Sequence, residues 1–281
     1  MLFNRTPFLN APIRFRPITL PLNSLFGSRS GVKRHHLDQL IKAANKLGLE
    51  LTETQIDHFK RYCELIELRS KQFNLTGAKS WERIREELFI RSLRILSPAG
   101  GNVPTLEWFA GRKAIDVGTG AGIPGLVLKL AVPELEITLL DSIGKRTNFL
   151  SEVVSELELT GVEVVNGRAE EFGQDGSYRE QYDLVVARAV ASLPELAELT
   201  LPFLNIGGVA VLPKSAGIER ELREAEFAAE ELGASPAITL TVDSPGSSPA
   251  DQIVYWMKIS STPDQYPRRV GLPHQAPLLS N

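Results

Sequence analysis

The 281-residue sequence predicts an α/β fold, a doubly wound and mostly parallel sheet with a small N-terminal helical cap. Three observations carry this expectation. The second half alternates short β-compatible runs with segments of helical period. A glycine-rich turn joins the first such run to the first such helix. A strand-free helical pattern precedes them both.

Taken in order, residues 1–36 read as a disordered basic arm. No acidic residue precedes Asp38, whereas Arg5, Arg14, Arg16, Arg29, Lys33 and Arg34 are basic, and Pro, Ser and Asn break any period. A transit peptide, an RNA-contacting tail or a start codon placed too far upstream would each give such an arm. Residues 37–105 form the cap: Leu37, Leu40, Ile41 and Ala44 recur at helical spacing, then Ile56, Phe59, Cys63 and Ile66, then Ile84, Leu88 and Ile95. The loop FNLTGAKS separates the last two groups, and Gly100, Gly101 and Pro104 mark the junction with the main domain, 106–262. There, strands are expected at 113–118, 135–141, 162–166, 182–187 and 209–213, with two more near 237–242 and 252–259. Helices are expected at 124–132, 143–159, 194–204 and 217–232. Residues 263–281 read as a basic, proline-rich tail.

Composition narrows the function. Hydrophobic content of 43% and charged content of 23% are those of an ordinary globular chain, and no apolar run approaches the roughly 20 residues a bilayer requires. The single cysteine, Cys63, excludes an intrachain disulfide and any multi-cysteine metal site. Its place on an apolar helical stripe assigns it to packing.

The stretch Lys113–Leu130, KAIDVGTGAGIPGLVLKL, carries the chemistry. A strand that feeds a helix through such a turn leaves backbone N–H groups unpaired at the helix start, and missing side chains let a ligand approach them. Gly118, Gly120 and Gly122 give G-x-G-x-G, with Ile123 where a dinucleotide fingerprint has its third glycine. The second strand, LEITLLD, ends in Asp141, where a carboxylate can accept from both hydroxyls of a ribose. Glu170, in NGRAEEF after the third strand, takes the next crevice position. A turn beginning Asp-x-Gly-x-Gly-x-Gly at Asp116 suits a cofactor without a pyrophosphate, S-adenosylmethionine, better than a dinucleotide. A methyltransferase is therefore favoured over a dehydrogenase.

Several stretches resemble the RsmG (GidB) family of small-subunit ribosomal RNA guanine-N7 methyltransferases. They are FNLT at 73–76, DVGTGAGIPG at 116–125, LLDSIGKRTNFL at 139–150, GRAEEF at 167–172, YDLVVARAVASL at 182–193, LPK at 212–214 and YPRRVGLPHQAPL at 266–278. The resemblance implies a class I S-adenosylmethionine-dependent methyltransferase of Rossmann-like type, acting on small-subunit (16S) ribosomal RNA or a ribosomal particle. It implies cofactor contacts at Gly118, Ile123, Ala169, Glu170 and Arg188, which Asp116, Gly120 and Asp141 join by their place in the layout. No metal and no membrane partner is expected, and the protein is expected to be a cytoplasmic monomer, or organellar if residues 1–36 are a transit peptide. One departure stands out: the family that the chain resembles usually carries His-x-x-Asp-Ser-Leu in the last cap helix, where this chain reads Leu88-Phe89-Ile90-Arg91-Ser92-Leu93.

Guanine N7 has a free lone pair, so its methylation requires alignment and desolvation rather than a base. The place after the fourth strand reads ARAVASL instead of the Asn/Asp-Pro-Pro-aromatic stretch of exocyclic-amine enzymes, and Cys63 lies in the cap, far from the strand ends. Arg188 and Lys214 are the catalytic candidates, acting by charge. Arg268, Arg269, Lys145 and Arg146 are candidate RNA contacts, supported by an excess of basic residues over 58–94. Two alternatives stay open: a ribosome-assembly protein that keeps the pocket without catalysis, and a methyltransferase acting on a protein or small molecule.

Overall fold

The computed structural model describes residues 37–78, 80–96, 104–188, 190–242 and 250–280, so the basic arm at 1–36 lies outside the described residues. The apolar runs become a seven-stranded sheet: β1 (Lys113–Val117), β2 (Glu136–Asp141), β3 (Val162–Asn166), β4 (Tyr182–Val186), β5 (Leu204–Lys214), β6 (Ile238–Val242) and β7 (Asp251–Met257). Their order is β3-β2-β1-β4-β5-β7-β6. The first five are parallel, because a helix crosses over between most successive strands, whereas β7 runs antiparallel to both β5 and β6. Strand order reverses between β1 and β4, which is where a ligand crevice opens at the carboxyl edge of such a sheet.

The cap comprises α1 (Asp38–Lys46), α2 (Glu53–Ser70) and a continuous run made of α3 (Trp81–Arg83), a π-helical stretch (Ile84–Ile90), α4 (Arg91–Leu93) and a 3-10 turn (Arg94–Leu96). Thr52 starts α2 with a capping box closed by Gln55. Gln55 does a second job: its amide donates to the carbonyls of Leu130 and Ala131 at 2.9 and 3.1 Å, satisfying the end of α5 (Gly125–Ala131). The inner stripe of α2 buries Phe59, Tyr62, Cys63 and Ile66 completely, and Tyr62 stacks on Phe89 of the π-helical stretch with ring centroids 5.2 Å apart. Burial pushes the Cys63 thiol up, in keeping with packing. Each such side chain contributes about 1.5–3 kcal/mol, so the apolar stripe is what holds the cap to α5.

The remaining helices are α6 (Gly144–Glu156), α7 (Ala169–Phe172), α8 (Leu193–Thr200), α9 (Glu219–Glu231) and α10 (Leu272–Gln275). The helix expected to run to 204 stops at Thr200, because Leu201–Phe203 tightens into a 3-10 turn around Pro202, and β5 begins at Leu204. The short α7 was not legible as a period.

The segment expected as a tail is fastened to the domain. Arg179 donates to the carbonyls of Thr262, Pro263 and Tyr266 at 2.7, 3.2 and 2.5 Å. Fully buried Lys258 reaches the carbonyls of Leu201 and Leu232, each at 3.0 Å, and the hydroxyl of Thr262.

Candidate active site

Asp116, the penultimate residue of β1, is completely buried. Its Oδ2 accepts from the Thr119 hydroxyl at 2.6 Å and from the Gly125 N–H at 2.8 Å, while Oδ1 has no partner among the described residues. Desolvation dominates these bonds and pushes the carboxyl up to about 7. Gly125 must be glycine for a packing reason, since an added Cβ would lie 2.7 Å from both Asp116 Oδ2 and a Leu139 methyl. Gly122 has φ +90°, and a Cβ there would meet Leu126 and the Tyr62 hydroxyl, each at 2.7 Å. Tyr62 donates that hydroxyl to the carbonyl of Ala121, so the cap grips the turn directly. Gly120, at φ +61°, faces open space, its nearest neighbour being a carbonyl 4.0 Å from an added Cβ.

Asp141, at the end of β2, closes the turn from the other side. Its carboxylate accepts from Gly120 N–H and Ile143 N–H, both at 2.9 Å, and from Arg146 at 3.3 Å. Asp141, expected as the ribose acceptor, is only 3% exposed and also shapes the turn with both oxygens. Arg146, expected to meet RNA, is tied to Asp141, while Lys145 is exposed. Ile123 lies buried at the same turn. Ala169 and Glu170 open α7 after β3, and Glu170 accepts from the Gly271 N–H at 2.9 Å, anchoring the C-terminal segment.

Arg188 follows β4. Its Nη2 donates to the carbonyl of Glu87 at 2.6 Å, inside the π-helical stretch whose widened turn presents that oxygen, and its Nη1 is buried without a partner among the described residues. Burial, with Arg91 nearby, pulls the guanidinium down to about 10. Lys214, at the end of β5, pairs with Glu221 at 2.7 Å and donates to the carbonyl of Ala191. Arg188 and Lys214 line one cavity of about 250 Å³ together with Arg91, Ser215 and Asp251.

Two other expectations need correction. Arg268, expected to meet RNA, is engaged within the protein: its backbone N–H, Nε and Nη2 all donate to Glu198, a carboxylate with no exposure, at 2.6–3.1 Å. Arg269 is exposed. The basic excess of the cap is largely neutralised too, with Arg61 on Glu156, Arg69 on Glu152, Arg83 on Glu87 and Arg91 on Asp251. Sequence reasoning missed Tyr62, Thr119, Glu198 and Asp251. Thr119 stood inside the motif and so had a signal, whereas the partners of the others lie far along the chain.

A parallel sheet reversing at β1 and β4, a G-x-G-x-G turn tied to an acidic strand end and a closing antiparallel hairpin together define a class I S-adenosylmethionine-dependent methyltransferase. The family model for rRNA small subunit methyltransferase G (GidB) matches residues 55–245. Ribosomal RNA small subunit methyltransferase G of Leuconostoc citreum is 40% identical over 243 residues, covering 86% of this chain and 99% of that one. The protein of the same name from Roseiflexus castenholzii is 39% identical, covering 86% and 100%. Among solved structures, an rRNA methylase from Streptococcus thermophilus is 16% identical with a TM-score of 0.42, covering 55% of this chain and 91% of that one. The chain belongs to the rRNA small subunit methyltransferase G (GidB) family.

Proposed function

We infer that this chain transfers the methyl group of S-adenosylmethionine to N7 of a guanine in small-subunit (16S) ribosomal RNA. The observation that carries the reading is the family match, which runs unbroken through the glycine turn, Asp141 and Arg188. The residues fit the cofactor. The turn leaves open space at Gly120, and the unpaired Oδ1 of Asp116 at its floor is an acceptor in want of a donor.

Bound there, S-adenosylmethionine supplies a sulfonium methyl group. Gly118, Gly120, Ile123 and Ala169 give it a close backbone and apolar wall, and Asp116, Asp141, Glu170 and Arg188 are its polar contacts in this reading. Beyond β4, the side chains of Arg188 and Lys214 are suited to orienting the acceptor by charge. That set matches an acceptor whose lone pair is already free. Lys145 and Arg269 remain the RNA contacts of this reading. Residues 37–105 act as the cap and 106–262 as the catalytic domain of a cytoplasmic monomer. No helix among the described residues is long and apolar enough to cross a membrane.

Small ribosomal subunits lacking the modification, incubated with labelled S-adenosylmethionine and the protein, test this directly. Label should enter the RNA, and borohydride followed by aniline should cut the chain at one enzyme-dependent guanosine. Labelled RNA that resists this cleavage would move the acceptor to another atom. Label in protein alone would favour a protein methyltransferase, and binding without turnover an assembly factor.

A further inference from the structure

β6 is the last strand of the sheet, and a cleft of about 630 Å³ separates it from α1. That is room for a stretch of a ligand rather than a single ion. Leu47, Ile90 and Leu240 form an apolar floor, Lys42, Lys46 and Arg94 supply charge, and no carboxylate lines the cleft. Arg94 leans on Asp251 at 3.5 Å. Lys42 and Lys46 differ. They lie four residues apart on the exposed face of α1, whose other face buries Leu40 and Ala44. Lys214 and Lys258 pair with Glu221 and Glu180, whereas neither lysine of α1 has a carboxylate partner among the described residues. Like charges at this spacing repel, and an anion laid across both relieves the repulsion.

We propose that the cleft between α1 and β6 docks the RNA strand that flanks the acceptor, with phosphates on Lys42 and Lys46 and sugar faces on the apolar floor. The proposal rests on the RNA reading above for its partner. A lysine-edged groove with an apolar floor is the form that tracks a nucleic-acid backbone, and such contacts set register without reading bases. The cleft also leads toward the reaction, because Val242 lines both it and the cavity where Lys214 stands. Other occupants fit its charge less well. The segment before α1 carries six Arg or Lys and no acidic residue, and a second copy docked about a two-fold axis through the cleft would set the same lysines against each other.

Binding of the full chain to small-subunit ribosomal RNA over a series of salt concentrations tests the surface. Lys42→Glu with Lys46→Glu should weaken binding about tenfold near physiological salt and lower the salt slope by roughly 0.7–0.9 for each phosphate no longer neutralised. Lys42→Arg with Lys46→Arg should keep both affinity and slope. The urea midpoint and the affinity for S-adenosylmethionine should hold in both variants, which separates a lost contact from lost folding. Exposed Gln39 lines the same cleft, so a photo-crosslinker introduced as Gln39→benzoylphenylalanine should attach to RNA in small subunits lacking the modification. An unchanged salt slope would overturn the proposal, as would crosslinking only to a ribosomal protein or to a second copy of this chain. RNA that binds through the two lysines yet takes no methyl group would refute the reaction and leave the docking surface standing.

Discussion

The hydroxyl of Tyr62, on the longest helix of the cap, donates to the backbone carbonyl of Ala121 in the middle of the glycine turn. The pair joins two parts of the chain with no sequence proximity, and it fastens the cap to the glycine turn. Tyr62→Phe keeps the ring and its stacking on Phe89 but leaves a buried carbonyl without its donor. Stability to urea should fall by about 1–3 kcal/mol, with weaker binding of S-adenosylmethionine by calorimetry. Gly122→Ala should cost more, since it adds a Cβ at φ +90° where the Tyr62 hydroxyl and Leu126 stand at 2.7 Å. Unchanged cofactor affinity in both variants would remove the cap from the site.

Asp116 gives the cofactor-free protein a pH dependence whose sign is set by its raised value. The folded carboxyl titrates at about 7 against an ordinary 3.8, so the unfolded chain gives up its proton first as pH rises. Stability contributed by the neutral form is whole below about pH 4 and is lost progressively up to about pH 7, on the order of 4 kcal/mol in all. Asp116→Asn should flatten that slope in urea titrations taken at several pH values. A slope that survives the substitution would place its origin elsewhere.

Arg268 and Arg269 should separate cleanly. Arg268→Ala strands the buried carboxylate of Glu198 and should cost about 3–5 kcal/mol of stability. Arg269→Glu should leave the unfolding midpoint in place and reduce the salt dependence of RNA binding, by a slope of roughly 0.7–0.9 for each phosphate that is no longer neutralised. An equal fall of the midpoint in both variants would show that Arg269 is structural as well.

The departure from the relatives' cap motif has a partner. Arg91, where the resemblance leads one to expect Asp, makes a two-point contact with Asp251 on β7. Arg91→Asp and Asp251→Arg should each destabilise the chain, and the double exchange should recover about 0.5–3 kcal/mol of the summed loss. Additive losses in the double-mutant cycle would mean the two charges are not coupled.

What the sequence by itself determined was local. Period-2 and period-3.6 patterning placed six of the described strands to within two residues, missing the first five residues of β5, and the spacing of Gly118, Gly120 and Gly122 before Pro124 defined the turn, because these signals depend only on neighbours in the chain. The class and the cofactor followed from them. The tertiary structure decided the partners of the charges. Arg268 has the formula of a phosphate contact until Glu198, 70 residues earlier, takes it, and Asp141, at a strand end, acquires a second role only when Gly120 and Ile143 donate to it. Arg91 and Asp251, 160 positions apart, likewise meet only when α4 folds over β7. An ion pair needs two groups within about 4 Å, and which carboxylate lies that near an arginine is settled by packing of the apolar faces, a property of the folded chain as a whole.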